Sequence, residues 1–435
     1  MSEDRRIPRG RLRRLGKIVG MTTRVGAGMV AGQARKLLGD EGDARLAAAR
    51  RILDTLGELK GAALKVGQTM ALISDQLPPE ARAVVARLFS QAPTLPYEQI
   101  AEVIEAELGK PPEELFSEFS KEPFAGASLG QVHRARLKSG EAVAVKVQYP
   151  GIESALEEDM RNAQAVLKAV GIGGRLLDGR EYFEEMRREI TAELDYEREL
   201  RLLEEFRGYL ARWPDLVVPK AWKELCSRRV LTLELLEGPT LHEYVKGIDQ
   251  IGNEERLRVS EQLARAILGP FVYHRVIHGD AHPGNFVVMP EGKLGVLDYG
   301  SIKHLPEPFW RGYVEGFQAG IDNRRLHFPT MLRNAGFTFD LPEERAEEVF
   351  DAVAEIVGEP FWGPYDWTKD TMIPRLMGLK KTYALDFLHV RVPPDALLFY
   401  RAIAGLGHNL RSLKSNGDFR QFLKDALVEV RARPE

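Results

Sequence analysis

Hydrophobic and polar positions alternate along residues 141–151, EAVAVKVQYPG, which predicts a buried strand. Valines occupy one face of this strand, at positions 143, 145 and 147, and Lys146 lies on the opposite face. A second apolar stretch, RRVLTLELLEG at 228–238, also predicts a strand, and the Gly-Pro pair that follows predicts a break. The chain therefore contains at least one sheet with a lysine on a strand.

Residues 276–300, VIHGDAHPGNFVVMPEGKLGVLDYG, have the pattern of short strands separated by polar loops. An apolar pair leads into His-Gly-Asp, and NFVV, a Pro-Glu-Gly-Lys turn and LGVLD then predict a tight hairpin. This arrangement places Asp280, Asn285 and Asp298 at the ends of strands. These three polar side chains are therefore candidates for catalytic or metal-binding residues.

Three other regions have a helical period. Apolar residues recur along one face from 44 to 72, where Lys65 and Gln68 share a face, and Gly61 and Gly67 indicate the close approach of another backbone. Residues 181–206, EYFEEMRREITAELDYERELRLLEEF, predict a charged helix, and the chain beyond about 330 is mainly helical.

Composition sets few further limits. A chain of 435 residues with 44% hydrophobic and 29% charged residues is globular, and it can form one large or two modest domains. The single cysteine, Cys226, excludes an intramolecular disulfide and fits a reducing cytoplasm. Runs of apolar residues fall well short of 18, so no transmembrane helix is predicted.

Charge is uneven, because residues 1–36 contain ten basic and two acidic residues. This basic arm, residues 1–36, has a charge that suits binding to an anionic lipid surface. The alternatives are that it acts as a solubilising tail or contacts nucleic acid. No nucleic-acid partner is expected. The apolar stretch VGAGMVAG is too short of bulky residues for a signal peptide. We expect a cytoplasmic protein that can lie at a membrane surface.

The order of Lys146, Asp280, Asn285 and Asp298 is that of protein-kinase-like enzymes. In such a site the lysine holds ATP phosphates, one aspartate orients or deprotonates the acceptor, and an asparagine and a second aspartate hold Mg²⁺. We therefore predict Lys146 and Asp280 as catalytic residues, and Asn285 and Asp298 as magnesium ligands. The alternative is a surface hairpin with incidental acids and an edge lysine.

Other candidate residues surround this core. The usual glycine-rich loop is replaced by Ala125, Gly126, Ala127 and Ser128, and alanine stiffens a backbone. Backbone groups near the hinge, from Glu234 through Leu236 to Glu237, are expected to meet adenine. His278 and His282 are expected to form hydrogen bonds around the catalytic loop rather than to bind zinc.

A lysine inside a site needs an acidic partner. Within the charged helix, Glu193 is the preferred partner of Lys146 or Lys65, and Glu199 is a weaker candidate. Asp195 is a candidate for a third carboxylate near magnesium.

Two further motifs, Lys65-Val-Gly-Gln68 and Glu193-Leu-Asp195, occur together with the alanine-rich loop and HGDAHPGN. In this order they resemble the UbiB, or AarF-like, family of atypical kinases over roughly residues 50–310. The resemblance implies that the Lys65–Gln68 extension packs over the site where a protein substrate would lie. It also implies that the alanine-rich loop disfavours protein phosphorylation, although Gly126 departs from the usual Ala-Ala-Ala-Ser and restores some backbone freedom.

The expected architecture is an α+β, protein-kinase-like bilobal fold with a helical N-terminal extension and a helical C-terminal lobe. Its parts are a basic arm (1–40), the extension (41–120), the N-lobe with inserted helices (121–240) and the C-lobe (241–435).

The resemblance implies an ATP- and Mg²⁺-dependent kinase or ATPase that supports ubiquinone biosynthesis or membrane-lipid homeostasis. Its implied partners are an isoprenoid lipid or membrane surface and quinone-biosynthesis proteins. Two alternatives are a small-molecule kinase of the aminoglycoside or choline kinase type, and a non-catalytic, ATP-gated lipid-binding module.

Overall fold

The computed structural model describes residues 94–127, 129–154, 187–188, 191–322, 324, 326–418 and 421–431. The basic arm, the predicted helix at 44–72 with Lys65 and Gln68, and Ser128 lie outside the described residues. The described residues combine a small, sheet-based lobe with a larger, mainly helical lobe, as the α+β expectation requires.

The strands are β1 (Glu118–Phe119), β2 (Ala125–Ala127), β3 (Gly130–Arg136), β4 (Ala142–Gln148), β5 (Leu216–Val217), β6 (Val230–Glu234), β7 (Val276–His278), β8 (Phe286–Val288), β9 (Leu294–Val296), β10 (Ile302–His304), β11 (Thr338–Phe339), β12 (Tyr365–Asp366), β13 (Val390–Arg391) and β14 (Asn416–Gly417). The helices are α1 (Tyr97–Leu108), α2 (Pro112–Leu115), α3 (Tyr196–Leu210), α4 (Leu241–Tyr244), α5 (Asn253–His274), α6 (Glu307–Ile321), α7 (Phe328–Asn334), α8 (Glu343–Val357), α9 (Glu359–Trp362), α10 (Met372–Thr382), α11 (Ala396–Leu413) and α12 (Gln421–Arg431).

The small lobe is an antiparallel sheet in the order β1-β3-β4-β6, with β2 paired to β3. The alternating valines of β4 are fully buried, as their spacing predicts. Helix α1 packs on this face through Ile100 and Ile104. Residues 95–120, which the sequence analysis assigns to the extension, thus contribute to the small-lobe core, which also includes Phe116.

The large lobe is built around α5, whose C-terminal half is almost entirely buried. Helices α11 and α12 pack against α5, and Phe271 of α5 packs in a tilted arrangement against Phe399 of α11, with ring centroids 4.9 Å apart. The predicted hairpin is present as β8 and β9, joined by a turn in which Glu291 and Gly292 have positive φ. Strand β7 pairs with β10, so the segments that carry the candidate site lie on the α5 core.

The prediction of one continuous charged helix over 181–206 is wrong, because the chain leaves the helical conformation before Asp195. Helix α3 begins only at Tyr196, and the side chain of Asp195 accepts a hydrogen bond from the backbone N–H of Arg198 at 2.9 Å. An aspartate in this position is a helix N-cap, which starts a helix rather than continuing one. Glu193 therefore lies in a turn before α3, and not on the same helical face as Glu199.

Among the described residues, no helix is long and apolar enough to cross a membrane.

A fully buried histidine connects two loops of the large lobe. His278 Nδ1 accepts a hydrogen bond from the backbone N–H of Asp280, and its Nε2 lies 3.2 Å from the carbonyl oxygen of Leu297. This pattern assigns the proton to Nε2. Burial lowers the pKa of His278, against the opposing charges of Asp280 and Asp298. His278 is therefore neutral in the folded protein, and His282 accepts from the N–H of Gly284, so both histidines form the predicted loop hydrogen bonds.

The neutral state of His278 predicts a loss of stability in acid. An unfolded histidine takes up a proton below about pH 6.5, whereas the folded one resists it, so stability falls as the pH drops through that value. In His278→Gln, urea denaturation between pH 7 and 5 should show a shallower decrease, by up to about 1.4 kcal/mol per pH unit. His389→Gln, at an exposed site, is the control. Equal slopes in wild type and His278→Gln would contradict the assignment.

Candidate functional site

Lys146 lies at the centre of a cluster of acidic residues between the lobes. Its Nζ is 3.0 and 2.9 Å from the two carboxylate oxygens of Glu199, and 3.8 Å from Oδ2 of Asp298. The side chains of Lys146 and Glu199 are only 18% and 4% exposed. Burial disfavours the ammonium, but Asp298 and Glu199 outweigh it and hold the pKa of Lys146 well above its ordinary range. Lys146 is therefore a fixed positive charge at neutral pH.

The acidic partner of Lys146 is Glu199, so the preference for Glu193 as the partner of Lys146 was wrong, whereas its predicted alternative partner, Lys65, lies outside the described residues. The break at Asp195 separates the two glutamates, and Glu199 lies in the first turn of α3, facing β4. Glu193 lines the same pocket as Lys146 and Glu199. Its carboxylate accepts a hydrogen bond from Ser301 Oγ at 3.2 Å. Asp195 caps α3.

Glu199 also holds the segment that follows β9. Its Oε1 accepts a hydrogen bond from the backbone N–H of Tyr299 at 3.3 Å. One buried carboxylate thus joins a strand of the small lobe to the Asp-Tyr-Gly segment of the large lobe. A buried carboxylate needs several hydrogen-bond donors. Loss of the contact with Lys146 or with the Tyr299 N–H would therefore lower the stability of the folded protein.

Asp298 has a backbone conformation that favours glycine. Its φ is 59°, in the left-handed region, and its Oδ1 accepts a hydrogen bond from the N–H of Gly300 at 3.2 Å. Non-glycine residues in this region are uncommon, although Asp and Asn tolerate it better than most. Such residues cluster at functional sites, where the surrounding structure imposes the conformation. Here it turns the carboxylate toward Lys146.

Asn285 is oriented by the predicted catalytic loop, residues 278–285. Its Nδ2 donates to the carbonyl oxygen of Asp280 at 3.1 Å, and its own carbonyl oxygen accepts from the N–H of Leu297 at 2.8 Å. The amide nitrogen is thus engaged by protein, which leaves the amide oxygen for a cation.

Together with the Asp298 carboxylate, this donor set consists of oxygen atoms only and fits Mg²⁺. Within the described ranges, no group of three or more His, Cys, Asp or Glu side chains is arranged for a metal. Two protein ligands suit an ion that also takes phosphate oxygens and water.

Asp280 pairs with a residue that the sequence analysis did not single out. Oδ1 of Asp280 is 3.0 Å from Nη2 of Arg401, and both side chains are 15% exposed. Arg401 lies on α11, which also supports the catalytic loop because Asn409 Nδ2 donates to the carbonyl oxygen of Ala281 at 2.9 Å. The available signal was a single charge inside the apolar stretch ALLFYRAIAGL, since a buried arginine requires a partner.

The segment that is predicted to cover the nucleotide is a strand rather than an open loop. Ala125, Gly126 and Ala127 form β2, which pairs with β3 in a hairpin. Of the two hinge residues, Leu236 is buried, and the side chain of Glu234 accepts from the N–H of Lys220 at 3.0 Å.

A small, partly open pocket lies beside Lys146. Its lining residues are Leu129, Lys146, Glu193, Tyr196, Glu199, Asp298 and Gly300. Lys146 lines this pocket together with the carboxylates of Glu193, Glu199 and Asp298, and Arg401 interacts electrostatically with Glu193 and Asp298. Such a site can bind a polyanion together with a divalent metal.

Comparison with known proteins is consistent with this geometry. The ABC1 atypical kinase-like domain matches residues 87–327. Rat atypical kinase COQ8B, mitochondrial, is 31% identical over 93% of this chain and 78% of its own length. Yeast atypical kinase COQ8, mitochondrial, is 28% identical over 75% of this chain and 66% of its own length. AarF domain-containing protein kinase 1 of Xenopus laevis is 33% identical over 68% of this chain and 58% of its own length.

A solved structure with the same fold is that of Rv3197 from Mycobacterium tuberculosis in complex with erythromycin. It is 25% identical, with a TM-score of 0.61 over 91% of this chain and all of the other. The family match covers more than half of the chain. The chain therefore belongs to the ABC1 atypical kinase-like family, which confirms the relationship to UbiB and AarF-like proteins that its motifs predict.

Proposed function

We propose that this protein binds Mg²⁺-ATP between its lobes and turns it over slowly, as an atypical kinase or ATPase that supports ubiquinone metabolism or membrane-lipid homeostasis. The observation that carries the proposal is Lys146, which is held as an ammonium between Glu199 and Asp298. A fixed cation beside a carboxylate suited to magnesium is what the α- and β-phosphates of a nucleotide require.

Each predicted residue has a role in this proposal. Lys146 would contact the nucleotide phosphates, and Asn285 and Asp298 would hold the Mg²⁺ ion through their side-chain oxygens. β2 covers the phosphates, and the backbone near Glu234 and Leu236 meets the base. Bound Mg²⁺ would neutralise charge on the phosphates.

In the transfer step, an acceptor oxygen forms a bond to the γ-phosphorus, and the bond between that phosphorus and the bridging β–γ oxygen breaks to leave ADP. Asp280 orients the acceptor and takes its proton. Water as the acceptor gives inorganic phosphate, and a hydroxyl group gives a phosphate ester.

The metabolic role rests on family membership and on relatives that are named COQ8 and COQ8B atypical kinases. The Lys65-Val-Gly-Gln68 and Glu193-Leu-Asp195 motifs favour this function over that of a small-molecule kinase. Aminoglycoside and choline kinases do not need such motifs. A peripheral position at a membrane is part of the proposal, through the basic arm of residues 1–36.

The decisive experiment follows γ-labelled phosphate from ATP, with water, a lipid extract and candidate protein partners present together as acceptors. Wild type should release or transfer label in a magnesium-dependent manner, and Lys146→Met and Asp280→Asn should reduce this by at least about a hundredfold. Label in a small hydroxylated metabolite would favour the small-molecule kinase. Nucleotide binding without any turnover would favour the ATP-gated module.

The metal site gives a separate prediction. Asp298→Asn keeps a residue that tolerates positive φ but removes the negative charge from the metal site, so it should abolish thermal stabilisation by Mg²⁺-ATP. The measurement is the shift in melting temperature with ATP, with and without Mg²⁺. Asp249→Asn, at an exposed ion pair with Lys414, is the matched control. A magnesium-dependent shift of wild-type size in Asp298→Asn would exclude Asp298 as a ligand.

The stiffness of β2 can be tested at Gly126. Among the described residues, no heavy atom lies within 4 Å of a Cβ built at Gly126, so alanine fits there. Gly126→Ala should raise stability by roughly 0.5–1 kcal/mol, because glycine loses more backbone freedom on folding. If a rigid cover limits transfer, Gly126→Ala should also lower turnover, and Ala125→Gly together with Ala127→Gly should raise it.

Chemical denaturation and phosphate release measure the two effects. Gly130→Ala is the steric contrast, because its Cβ would lie 2.2 Å from the carbonyl oxygen of Val147 and should destabilise the sheet. Turnover that is the same in Gly126→Ala, the double glycine variant and wild type would show that loop stiffness does not limit the reaction.

A further inference from the structure

The segment that carries Asp298 lies between two strands and has no helix or strand of its own. Strand β9 ends at Val296, and β10 begins at Ile302. Within this connection Asp298 has a positive φ, and Gly300 belongs to the residue type with the widest backbone freedom. The position of the predicted magnesium ligand therefore depends on contacts that reach this segment from elsewhere in the chain.

Two consecutive residues in the first turn of α3 make such contacts. Glu199 Oε1 accepts a hydrogen bond from the backbone N–H of Tyr299 at 3.3 Å. Arg198 Nη1 donates a hydrogen bond to the carbonyl oxygen of Gly300 at 2.9 Å. These bonds hold the peptide groups on the N-terminal side of Tyr299 and on the C-terminal side of Gly300. The peptide group between them, which carries the N–H of Gly300, is thereby confined from both sides.

The confined N–H of Gly300 orients the carboxylate of Asp298. It donates to Oδ1 of Asp298 at 3.2 Å, while Oδ2 lies 3.8 Å from Nζ of Lys146. A rotation of this peptide group would move the donor away from Oδ1 and change the direction of the carboxylate. Mg²⁺ requires a near-ideal octahedral arrangement of oxygens, so its affinity is sensitive to such a rotation. Arg198 therefore acts on the predicted metal ligand through Gly300.

Arg198 is itself anchored at both ends. Its backbone N–H donates to Oδ1 of the N-cap Asp195 at 2.9 Å, and its guanidinium forms the charge-assisted bond to Gly300. Arg201, one turn further along α3, differs, because its side chain is 68% exposed and lies 4.0 Å from the Asp195 carboxylate. Exposed pairs contribute little to stability, so Arg201 is a control with the same charge on the same helix.

We propose that Arg198 is a positioning residue, which raises the affinity of the site for Mg²⁺ by holding the Gly300 peptide and, through it, Asp298. This inference rests on the proposed function, because it takes Asp298 as a magnesium ligand. The sign of the effect separates positioning from electrostatics. Removal of a positive charge near a cation site strengthens cation binding, whereas loss of positioning weakens it.

The test measures the affinity for ADP by titration calorimetry at a series of Mg²⁺ concentrations. ADP has no γ-phosphate to transfer, so binding is followed without turnover. In Arg198→Met, the Mg²⁺ concentration that gives half of the maximal gain in ADP binding should rise about fivefold to tenfold, because part of the energy of a charge-assisted hydrogen bond is lost at the metal ligand. Arg198→Lys keeps the charge and a donor but not the planar fork, so its value should lie between those of wild type and Arg198→Met.

A second measurement needs no ligand. Hydrogen exchange of a peptide that covers residues 297–302 should be about fivefold faster or more in Arg198→Met than in wild type, because the bond to Gly300 is missing. Arg201→Met should stay within about twofold of wild type in both measurements. The proposal is overturned by an unchanged or lower Mg²⁺ requirement in Arg198→Met, by a higher one without faster exchange, or by an equal rise in Arg201→Met.

Failure of the proposed function gives a different pattern. Wild type would then show no magnesium-dependent binding of ADP or ATP, and Lys146→Met would behave like wild type, so both proposals would fall together. If wild type binds nucleotide with Mg²⁺ and Lys146→Met does not, the proposed function stands and the Arg198 variants decide the inference. If Arg198→Met does not fold, Arg198→Gln replaces it with the same expected results, because glutamine lacks the charge and the reach of arginine.

Discussion

The site depends on one buried carboxylate, that of Glu199. It accepts two contacts from Lys146 Nζ and one from the backbone N–H of Tyr299, and it is almost completely shielded from water. A carboxylate in such surroundings stays ionised only if donors compensate for its lost hydration. Each donor comes from a different lobe, so the interaction that stabilises Glu199 also fixes the lobes relative to each other. The position of Asp298, directly before Tyr299, follows from it.

Charge balance explains why the site takes this form. Glu199, Asp298, Glu193 and Asp280 are offset by two cations, because Lys146 interacts with Glu199 and Asp298, and Arg401 interacts with Asp280, Glu193 and Asp298. The surplus is negative, which disfavours a bare nucleotide and favours one that arrives with a divalent metal. The acidic surroundings and the paired oxygen donors of Asn285 and Asp298 therefore point to the same ligand.

Strand-based features could be predicted from the sequence because their signals are local. The alternation of valines in β4 and the turn residues between β8 and β9 determine which side chains face the interior, without information from distant parts of the chain. Lys146, Asp280, Asn285 and Asp298 lie at the ends or on the open faces of such elements. Each of these predicted residues therefore lies where its strand pattern requires.

The site residues that lie on helices, Glu199 and Arg401, were harder to predict, for two different reasons. Glu193 and Glu199 lie in one charged stretch whose composition does not show where the helix starts, and only the capping bond of Asp195 separates them. A terminus shifted by a few residues changes which acid faces Lys146. Arg401 was missed because it is 121 residues from Asp280, and pairing at that distance leaves no spacing pattern in a single sequence.

β2 and the predicted catalytic loop, residues 278–285, differ in the contacts that hold them in place. β2 is attached along one edge only, to β3, and its residues are partly exposed. The catalytic loop is fixed from several directions, by His278 to the Asp298 segment and by Asn409 and Arg401 to α11. Among the described residues, the predicted catalytic loop is therefore held by more kinds of contact than β2, which is held by its pairing with β3. Because alanine restricts backbone freedom more than glycine, Ala125 and Ala127 limit the conformations that β2 can adopt more than glycines would.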